Sequence, residues 1–254
     1  MMRLFSFFWH PSHPEFSSLT PGGMLTPIHL LFTLFLALIG WRMYRELKAL
    51  PNKDRQRWYQ YLAIGLIGLE IIRMGWNMLA SDAWYAKDVL PLYTCGIFVM
   101  IFPFYAFSKR YGKWMKGFIG LGSFLAGSFF LLLPSTGLGM FPLWHLNTWI
   151  SSIMHLTMAV IGALFFFDQN ETYTWKDILA STLIITFFAV ISVIYNTLDP
   201  NTNFFFLANP LPNTPLTLLV DWFGQPGYGI SIYVLHLLIG LTMFFLHQRY
   251  IIAR

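Results

Sequence analysis

Cys95 is the only cysteine of the chain, and it ends the proline-containing stretch LPLYTC at residues 90–95. A thiol near the start of a helix gains from the positive end of the helix dipole, which favours the nucleophilic thiolate. Pro91 suits a first helical turn and Asp88 can cap it, so we expect Cys95 about one turn into a helix. A lone cysteine in an apolar helix is also an ordinary small core residue, so a packing role stays open.

A nucleophilic cysteine needs a base, and His155 is the best candidate. It follows Thr148 and Ser151 at helical spacing inside an apolar run, so the three side chains form one polar stripe. The alternative for His155 is a hydrogen bond between helices. A catalytic pair of Ser151 and His155 is disfavoured, because two side chains one turn apart stack along the helix axis.

Further polar residues lie within apolar runs. Glu70 and Arg73 are three residues apart, and Asn77 follows one turn later on the same helix face. An ionisable group in hydrocarbon costs roughly 3 kcal/mol or more unless it is paired or hydrated, so Glu70 and Arg73 must face the interior. His29 and His236 lie at a similar predicted depth. These residues predict either a cavity open toward the outer leaflet or a purely structural knot of an ion pair and hydrogen bonds.

The composition places these residues in a membrane protein. The chain has 254 residues, of which 56% are hydrophobic and 11% charged, whereas soluble domains carry about 25% charged residues. The net charge of +5 is not gathered on one soluble module, so nucleic acid is not an expected partner. A single cysteine excludes an internal disulfide. We expect no metal and no cofactor, although a zinc site built from Glu70 and single histidines is a weak alternative.

Seven apolar stretches are long enough to cross a bilayer, which predicts an all-α protein with seven transmembrane helices in one domain over residues 1–254. The predicted spans are Met24–Met43, Trp58–Ala80, Val89–Phe107, Met115–Leu133, Leu143–Phe167, Trp175–Tyr195 and Pro226–Leu246. Residues 1–23 form a predicted interfacial arm without a cleaved signal. Residues 196–225, rich in Phe and Pro, predict an outer interfacial segment, which is either a lid over the cavity or an anchor without a gating role.

The basic residues predict the orientation. Most of the 16 Lys and Arg residues fall in the loops on one side: Arg42, Arg45, Lys48, Lys53, Arg55, Arg57, Lys109, Arg110, Lys113, Lys116, Lys176, Arg249 and Arg254. By the positive-inside rule, the N-terminus is outside and the C-terminus is cytoplasmic. The inner half of the bundle holds almost no intramembrane polar residues in this assignment.

Three stretches resemble a known family. LPLYTC (90–95), MHLTM (154–158) and the long run NTNFFFLANPLPNTPLTLLVDWFGQPGYGISIYVL (201–235) resemble the bacterial YwaF-type integral membrane proteins and their animal relative, the transmembrane protein 164 acyltransferase. The resemblance implies a multi-pass protein of the bacterial plasma membrane that moves acyl chains between phospholipids. It implies Cys95 as the nucleophile and His155 as its partner. Tyr93 stands where the bacterial pattern often has His, and Phe204 stands where Tyr is frequent.

The resulting prediction is a lipid acyltransferase or transacylase whose substrate is a phospholipid or another acyl lipid of the membrane. Cys95 attacks the ester and His155 shuttles the proton. Six residues are predicted to contact the substrate: Glu70, Arg73, Asn77, Tyr93, Ser151 and His236. The alternatives are a transporter or binder of a small or lipid-like ligand in the same polar cavity, and a scaffold subunit whose polar cluster locks helix packing.

Overall fold

The computed structural model describes residues 20–80, 89–134, 137–168, 172–210 and 214–252. Within these ranges all regular structure is helical, as predicted. The helices are α1 Pro27–Ala49, α2 Asn52–Ala80, α3 Thr94–Phe107, α4 Lys109–Gly117, α5 Ser123–Leu132, α6 Leu146–Phe166, α7 Trp175–Leu198 and α8 Thr217–Ile252. A π-helical turn, Phe118–Gly122, joins α4 to α5, and a 3₁₀ turn, Phe204–Phe206, lies between α7 and α8. Most of the predicted arm and the predicted Asp88 cap lie outside the described residues.

Six stretches of the described chain are long and apolar enough to cross a membrane: Pro27–Ala49, Asn52–Leu79, Lys109–Leu132, Leu146–Phe166, Trp175–Leu198 and Thr217–Ile252. The seventh, α3, is apolar but only 14 residues long. At 1.5 Å per residue it extends about 21 Å, less than the hydrocarbon thickness of about 30 Å. Of the seven predicted spans, six are confirmed as helices long and apolar enough to cross a membrane, and the third is a shorter apolar helix than predicted.

The short length of α3 has a local cause. Its N-cap, Tyr93, is extended (φ −86°, ψ 157°), and the helix begins at Thr94 rather than near Val89. The backbone of Pro91 folds against the first turn, where a Cβ on Gly96 would lie 2.7 Å from the Pro91 carbonyl oxygen. Pro91 thus precedes the helix instead of forming its first turn, and Cys95 is the second helical residue.

Several helices extend beyond the apolar stretches that predicted them. Helix α1 continues to Ala49, α2 begins at Asn52 and α4 begins at Lys109. The added turns carry exposed charges, such as Glu46, which is 65% exposed and pairs with Arg42 at the end of the predicted span. Hydropathy predicts only the part of a helix that is suited to lipid. Backbone hydrogen bonding extends the helix beyond that part, so the observed helices are longer than the apolar stretches.

Helix α6 lies at the centre of the bundle, since 14 of its residues are buried. Helices α1, α2, α3 and α5 pack around it. The α5–α6 contact is the closest because two glycines let the backbones meet. A Cβ on Gly127 would lie 2.5 Å from the carbonyl oxygen of His155, and a Cβ on Gly162 would clash with the backbone of Phe124. These glycines hold α6, and with it His155, at short range from α5.

Adding a methyl group at this contact is expected to force the two helices apart. We predict that Gly162→Ala lowers the free energy of unfolding by about 1–3 kcal/mol, the usual cost of overpacking. Gly65→Ala in α2 is the matched control, because a Cβ there would meet nothing within 4 Å. Unfolding in mixed micelles measures both variants. Equal stability of Gly162→Ala and Gly65→Ala would contradict a tight α5–α6 contact.

Candidate functional site

Cys95 is partly buried at the start of α3. The backbone N–H groups of Cys95 and Gly96 lie within reach of its sulfur, and Glu70 and Arg73 of α2 lie within electrostatic range. A helix start directs its unpaired N–H groups and its positive dipole end at this sulfur. Cys95 therefore lies closer to the helix start than the predicted position one turn into the helix.

Glu70 and Arg73 form a bidentate ion pair. Arg73 donates from Nε to one carboxylate oxygen of Glu70 at 2.9 Å and from Nη2 to the other at 2.7 Å. The Glu70 side chain is 8% exposed and that of Arg73 is 21% exposed. Arg73 is also within electrostatic range of Cys95 and Tyr93, while Asn77 is buried one turn along the same helix. The structure thus brings Glu70, Arg73, Tyr93 and Cys95 together.

Three aromatic rings, one each from α2, α3 and α6, contact one another and fix the relative heights of these three helices. Tyr59 of α2, Tyr105 of α3 and Phe165 of α6 form what we call the Tyr59 cluster. Their ring centroids are separated by 6.0 Å, 6.0 Å and 4.9 Å. Near the opposite end, Trp76 of α2 contacts the ring of His145 before α6, at 5.4 Å. Helix α2 therefore runs antiparallel to α6.

Counting along the helices from the Tyr59 cluster places three polar residues at one depth. Cys95 and His155 each precede their member of the cluster by ten residues, and Glu70 follows its member by eleven on the antiparallel helix. At 1.5 Å per residue, all three lie about 15 Å from the cluster. Cys95, Glu70 and His155 thus occupy the same level on three helices that pack against one another.

His236 reaches the same level by an independent contact. His247 of α8 hydrogen-bonds through Nδ1 to the Phe166 carbonyl oxygen, at 2.7 Å. His236 precedes His247 by eleven residues, and His155 precedes Phe166 by eleven. Because both helices run in the same direction from these paired positions, His236 and His155 lie at matching heights.

The hydrogen bonds of the two histidines determine which nitrogen can accept a proton. Nδ1 of His155 lies 2.7 Å from the Ser151 carbonyl oxygen, and Nδ1 of His236 lies 2.8 Å from the Ile232 carbonyl oxygen. A carbonyl oxygen only accepts, so Nδ1 carries the hydrogen in both rings and Nε2 has the lone pair. In each ring, Nε2 is therefore the nitrogen that can accept a hydrogen bond or a proton.

The remaining polar residues that the sequence predicts at a similar depth have structural bonds. Nδ1 of His29 accepts from the Leu25 amide at 2.9 Å, and its Nε2 lies 3.1 Å from the Leu131 carbonyl oxygen. Both ring nitrogens are thus used, and His29 joins α1 to the end of α5. Thr148 donates to the Pro142 carbonyl oxygen at 2.9 Å. Ser151 contributes its carbonyl to His155.

The 3₁₀ turn lies above this level and was predicted only as part of a lid. Phe204 and Phe205 are 0% and 1% exposed. Tyr93 packs its ring on Phe204 and Phe206, at 5.5 Å and 5.4 Å, and Phe205 reaches the ring of His236 at 4.5 Å. The turn is therefore a buried plug between α3 and α8. It differs from the interfacial cover that its Phe-rich sequence suggested.

Strain and a side-chain clamp mark this plug as a constrained element. Phe205 and Phe206 have φ values of 57° and 54°, in the left-handed region that bulky residues avoid. Asn196 holds the turn from both sides, accepting from the Phe204 amide at 2.8 Å and donating to its carbonyl at 3.0 Å. Backbone strain of this kind collects at functional sites. The sequence carried no specific signal for Asn196.

The rest of the predicted lid is different in character. Helix α8 begins nine residues earlier than predicted, and its first part is set off by a break at Gly224 (φ 67°, ψ 178°). Before this break, Trp222 and Phe223 are 68% and 57% exposed. This piece resembles the interfacial segment that the sequence predicts, whereas residues 211–213 lie outside the described ranges.

The structure does not join Cys95 to a histidine directly. Within the described ranges, Cys95 has no hydrogen bond to His155 or His236, although all three share one level. The ring of His155 stacks on Phe130 with a centroid distance of 3.6 Å. No group of three or more His, Cys, Asp or Glu residues in the described chain could hold a metal ion.

Comparison with protein families confirms the resemblance seen in the sequence. A family profile described as the TMEM164 family matches residues 9–247, which is nearly the whole chain. Comparisons with curated proteins and with solved structures found no match. The matched range contains Cys95, His155 and the 3₁₀ turn Phe204–Phe206. With its apolar helices, this chain is a membrane protein that belongs to the TMEM164 family.

Proposed function

We propose that this protein is a membrane-embedded lipid acyltransferase or transacylase in which Cys95 is the nucleophile. The observation that carries the proposal is the position of the sulfur at the start of α3, level with two histidines whose Nε2 lone pairs are available. Helix α6 packs on α3, so His155 is the proposed base, and His236 is proposed to contact the substrate. The lipid would come from the surrounding membrane, which we propose is the bacterial plasma membrane.

The reaction has two acyl-transfer steps. His155 Nε2 takes the proton of the Cys95 thiol, and the thiolate attacks the ester carbonyl carbon of a phospholipid. The carbon–oxygen bond to glycerol breaks, the leaving alkoxide takes the proton from His155, and an acyl thioester remains on Cys95. An acceptor hydroxyl then gives its proton to His155 and attacks the thioester. The acyl group forms a new ester, and the sulfur leaves as a thiolate that recovers the proton.

The neighbouring groups have matching roles in this proposal. Arg73 uses Nε and Nη2 to bind Glu70, so its Nη1 group is the proposed donor to the oxyanion that forms on the ester carbonyl. Glu70 holds Arg73 in this orientation. Asn77, Tyr93 and Ser151 are proposed to contact the substrate around the sulfur.

Trapping the acyl-enzyme tests the proposal. The full chain in nanodiscs is incubated with a phospholipid that carries an alkyne-tagged acyl chain, and the tag is then located by mass spectrometry. We expect an adduct on the Cys95 peptide that neutral hydroxylamine releases, because thioesters are cleaved under these conditions. Cys95→Ser should give a hydroxylamine-resistant ester or no adduct. A tag that persists in Cys95→Ala would exclude Cys95 as the nucleophile.

The second candidate function, binding or transport of a small or lipid-like ligand, gives a different pattern. The buried Glu70–Arg73 pair supports it, since such a pair can hold a polar head group without chemistry. It predicts no covalent adduct and a lipid-dependent rise in melting temperature. That rise should be the same in Cys95→Ala as in the parent and should be lost in Glu70→Gln.

A further inference from the structure

The chain on both sides of the plug, the 3₁₀ turn Phe204–Phe206, is polar and exposed, whereas the plug itself is buried. Asn201 precedes the plug and Asn209 follows it, and both are exposed. We call the part of the bundle surface where they lie the polar edge. Between them, Phe204 and Phe205 are 0% and 1% exposed. The chain therefore enters the bundle from the polar edge and places two phenylalanine rings inside it.

Asparagine side chains close this loop at its base. Asn203 accepts from the amides of Ala208 and Asn209, at 3.2 Å and 3.0 Å, and donates to the Asn209 carbonyl oxygen at 2.8 Å. Asn196 of α7 holds the backbone of Phe204 in a similar way, at 2.8 Å and 3.0 Å. Side-chain bonds thus fix the plug to α7 and return the chain to the polar edge.

Contacts with α8 give the depth of the plug. The carbonyl oxygen of Leu207 lies against α8 at Gly229, where a Cβ would be only 2.8 Å from it. The ring of Phe205 contacts the ring of His236 at 4.5 Å. Seven residues, or about 10 Å of helix, separate these two positions of α8. Phe205 therefore extends from the polar edge to the level that His236 shares with Cys95.

The opposite side of the plug packs on the start of α3. The ring of Tyr93 contacts the rings of Phe204 and Phe206, and Tyr93 precedes Cys95 by two residues. The plug therefore fills the space between α3 and α8 on the side of Cys95 that faces the polar edge.

The acyl thioester of the proposed reaction has two possible acceptors. A lipid hydroxyl gives a new ester and returns the sulfur to the thiol. If water attacks instead, the carbonyl–sulfur bond breaks, a free fatty acid leaves, and the proton from water restores the thiol. Water is the more abundant nucleophile at a membrane surface, so a transferase has to exclude it from such an intermediate. Two buried phenylalanine rings form an apolar barrier of this kind.

We propose that the plug excludes water from Cys95 and so directs the acyl group to a lipid hydroxyl. Asn196 is the positioning residue that keeps the plug in place. The inference rests on the proposed acyl transfer and specifies its acceptor, an alcohol of a lipid that reaches the sulfur through the bilayer. The left-handed backbone of Phe205, with φ 57°, is the strained conformation that directs its ring inward.

The accessibility of the thiol tests the plug without any acyl transfer. Cys95 is the only cysteine of the chain, so modification of the full chain in nanodiscs reports on this sulfur alone. Two methanethiosulfonates are compared, one with a trimethylammonium-ethyl group and one with a butyl group, each relative to its rate with glutathione. We expect the butyl reagent to be faster by about tenfold or more, since a charge is costly in an apolar layer. Equal relative rates would overturn the proposal.

Three variants should admit the charged reagent. Phe205→Gly deletes the ring on His236 and keeps a residue that adopts positive φ freely. Gly229→Ala displaces the plug from α8, and Asn196→Leu removes both bonds of the clamp. We expect each variant to raise the relative rate of the charged reagent by about tenfold or more, because buried bonds or contacts of the plug are lost. Parent-like rates in the variants that fold would overturn the proposal.

The chain provides matched controls on the same two helices. Gly240→Ala adds a methyl group to α8 where a Cβ would meet nothing within 4 Å. Thr197→Val changes the neighbour of Asn196, an exposed residue whose hydroxyl donates to the Val193 carbonyl oxygen within α7, at 2.8 Å. Both should keep the parent rates. Rates that rise equally in these controls would contradict the assignment to the plug.

The products from a labelled phospholipid test the choice of acceptor. We expect Phe205→Gly and Asn196→Leu to raise the ratio of free fatty acid to transferred acyl chain by about tenfold or more. This ratio does not depend on how much of the variant is folded. An unchanged ratio would overturn the exclusion of water while leaving Cys95 as the nucleophile. A parent chain that forms no acyl-enzyme would contradict the proposed function, and the modification rates would still decide whether the plug shields the thiol.

Discussion

Cys95→Ala is expected to lower the rate of acyl transfer between phospholipids by at least about 10³-fold, because removal of a covalent nucleophile leaves only positioning and oxyanion stabilisation. The measurement is the transfer of a labelled acyl chain between two phospholipids by the purified chain in nanodiscs, together with lipid mass spectrometry of cells with and without the thiol. Cells that retain normal lipid remodelling with Cys95→Ala would remove the thiol from the mechanism.

The two histidines provide the internal comparison for this result. His155→Gln should lower the rate of acyl transfer by about 10²–10⁴-fold, the usual contribution of a general base. His236→Gln should lower the same rate by less than about tenfold. The ring of His155 stacks on Phe130, so a folding control by thermal unfolding accompanies both variants. A larger loss with His236→Gln would transfer the role of the base from α6 to α8.

The fold followed from the sequence wherever apolar length was the deciding quantity. Long apolar runs need helices to satisfy their backbone in lipid, so the six longer spans were predicted in the right order. The start of α3 could not be predicted in the same way, because its position depends on how the Pro91 backbone folds against Gly96, a contact that is absent from local propensity. The orientation of the termini stays a prediction.

The candidate site was predictable in residue type but not in arrangement. The cost of burying Glu70 and Arg73 required a partner, and three-residue spacing identified it. In contrast, the clamp of Asn196 on Phe204 spans eight residues of irregular chain, and a single Asn carries no signal of such a contact. Arg55 was misplaced because hydropathy counts a charged residue near a helix end as part of a loop.

Removing one partner of the Glu70–Arg73 pair is the second change with a large expected effect. Arg73→Met leaves the Glu70 carboxylate buried without its cation, which should lower the free energy of unfolding by about 3–5 kcal/mol. Arg42→Met is the matched control within α1, because the Arg42–Glu46 pair is largely exposed and should contribute less than about 1 kcal/mol. Unfolding in mixed micelles compares the two.

The double variant Glu70→Gln/Arg73→Met distinguishes pairing from simple packing. If Arg73→Met loses stability because the Glu70 charge is uncompensated, neutralising Glu70 should recover most of the lost free energy of unfolding. A double variant as unstable as Arg73→Met alone would show that the Arg73 side chain stabilises the bundle by packing. Acyl transfer is measured separately, since both residues also adjoin the sulfur.

The short third helix has a consequence for how reagents encounter the protein. A helix that extends only about 21 Å brings its first residues inward from one edge of a hydrocarbon layer of about 30 Å. A molecule would then meet the thiol from within the bilayer, at a concentration set by its partition coefficient. Chain length and saturation of a lipid, which set that partition coefficient, would therefore affect the occupancy of this position.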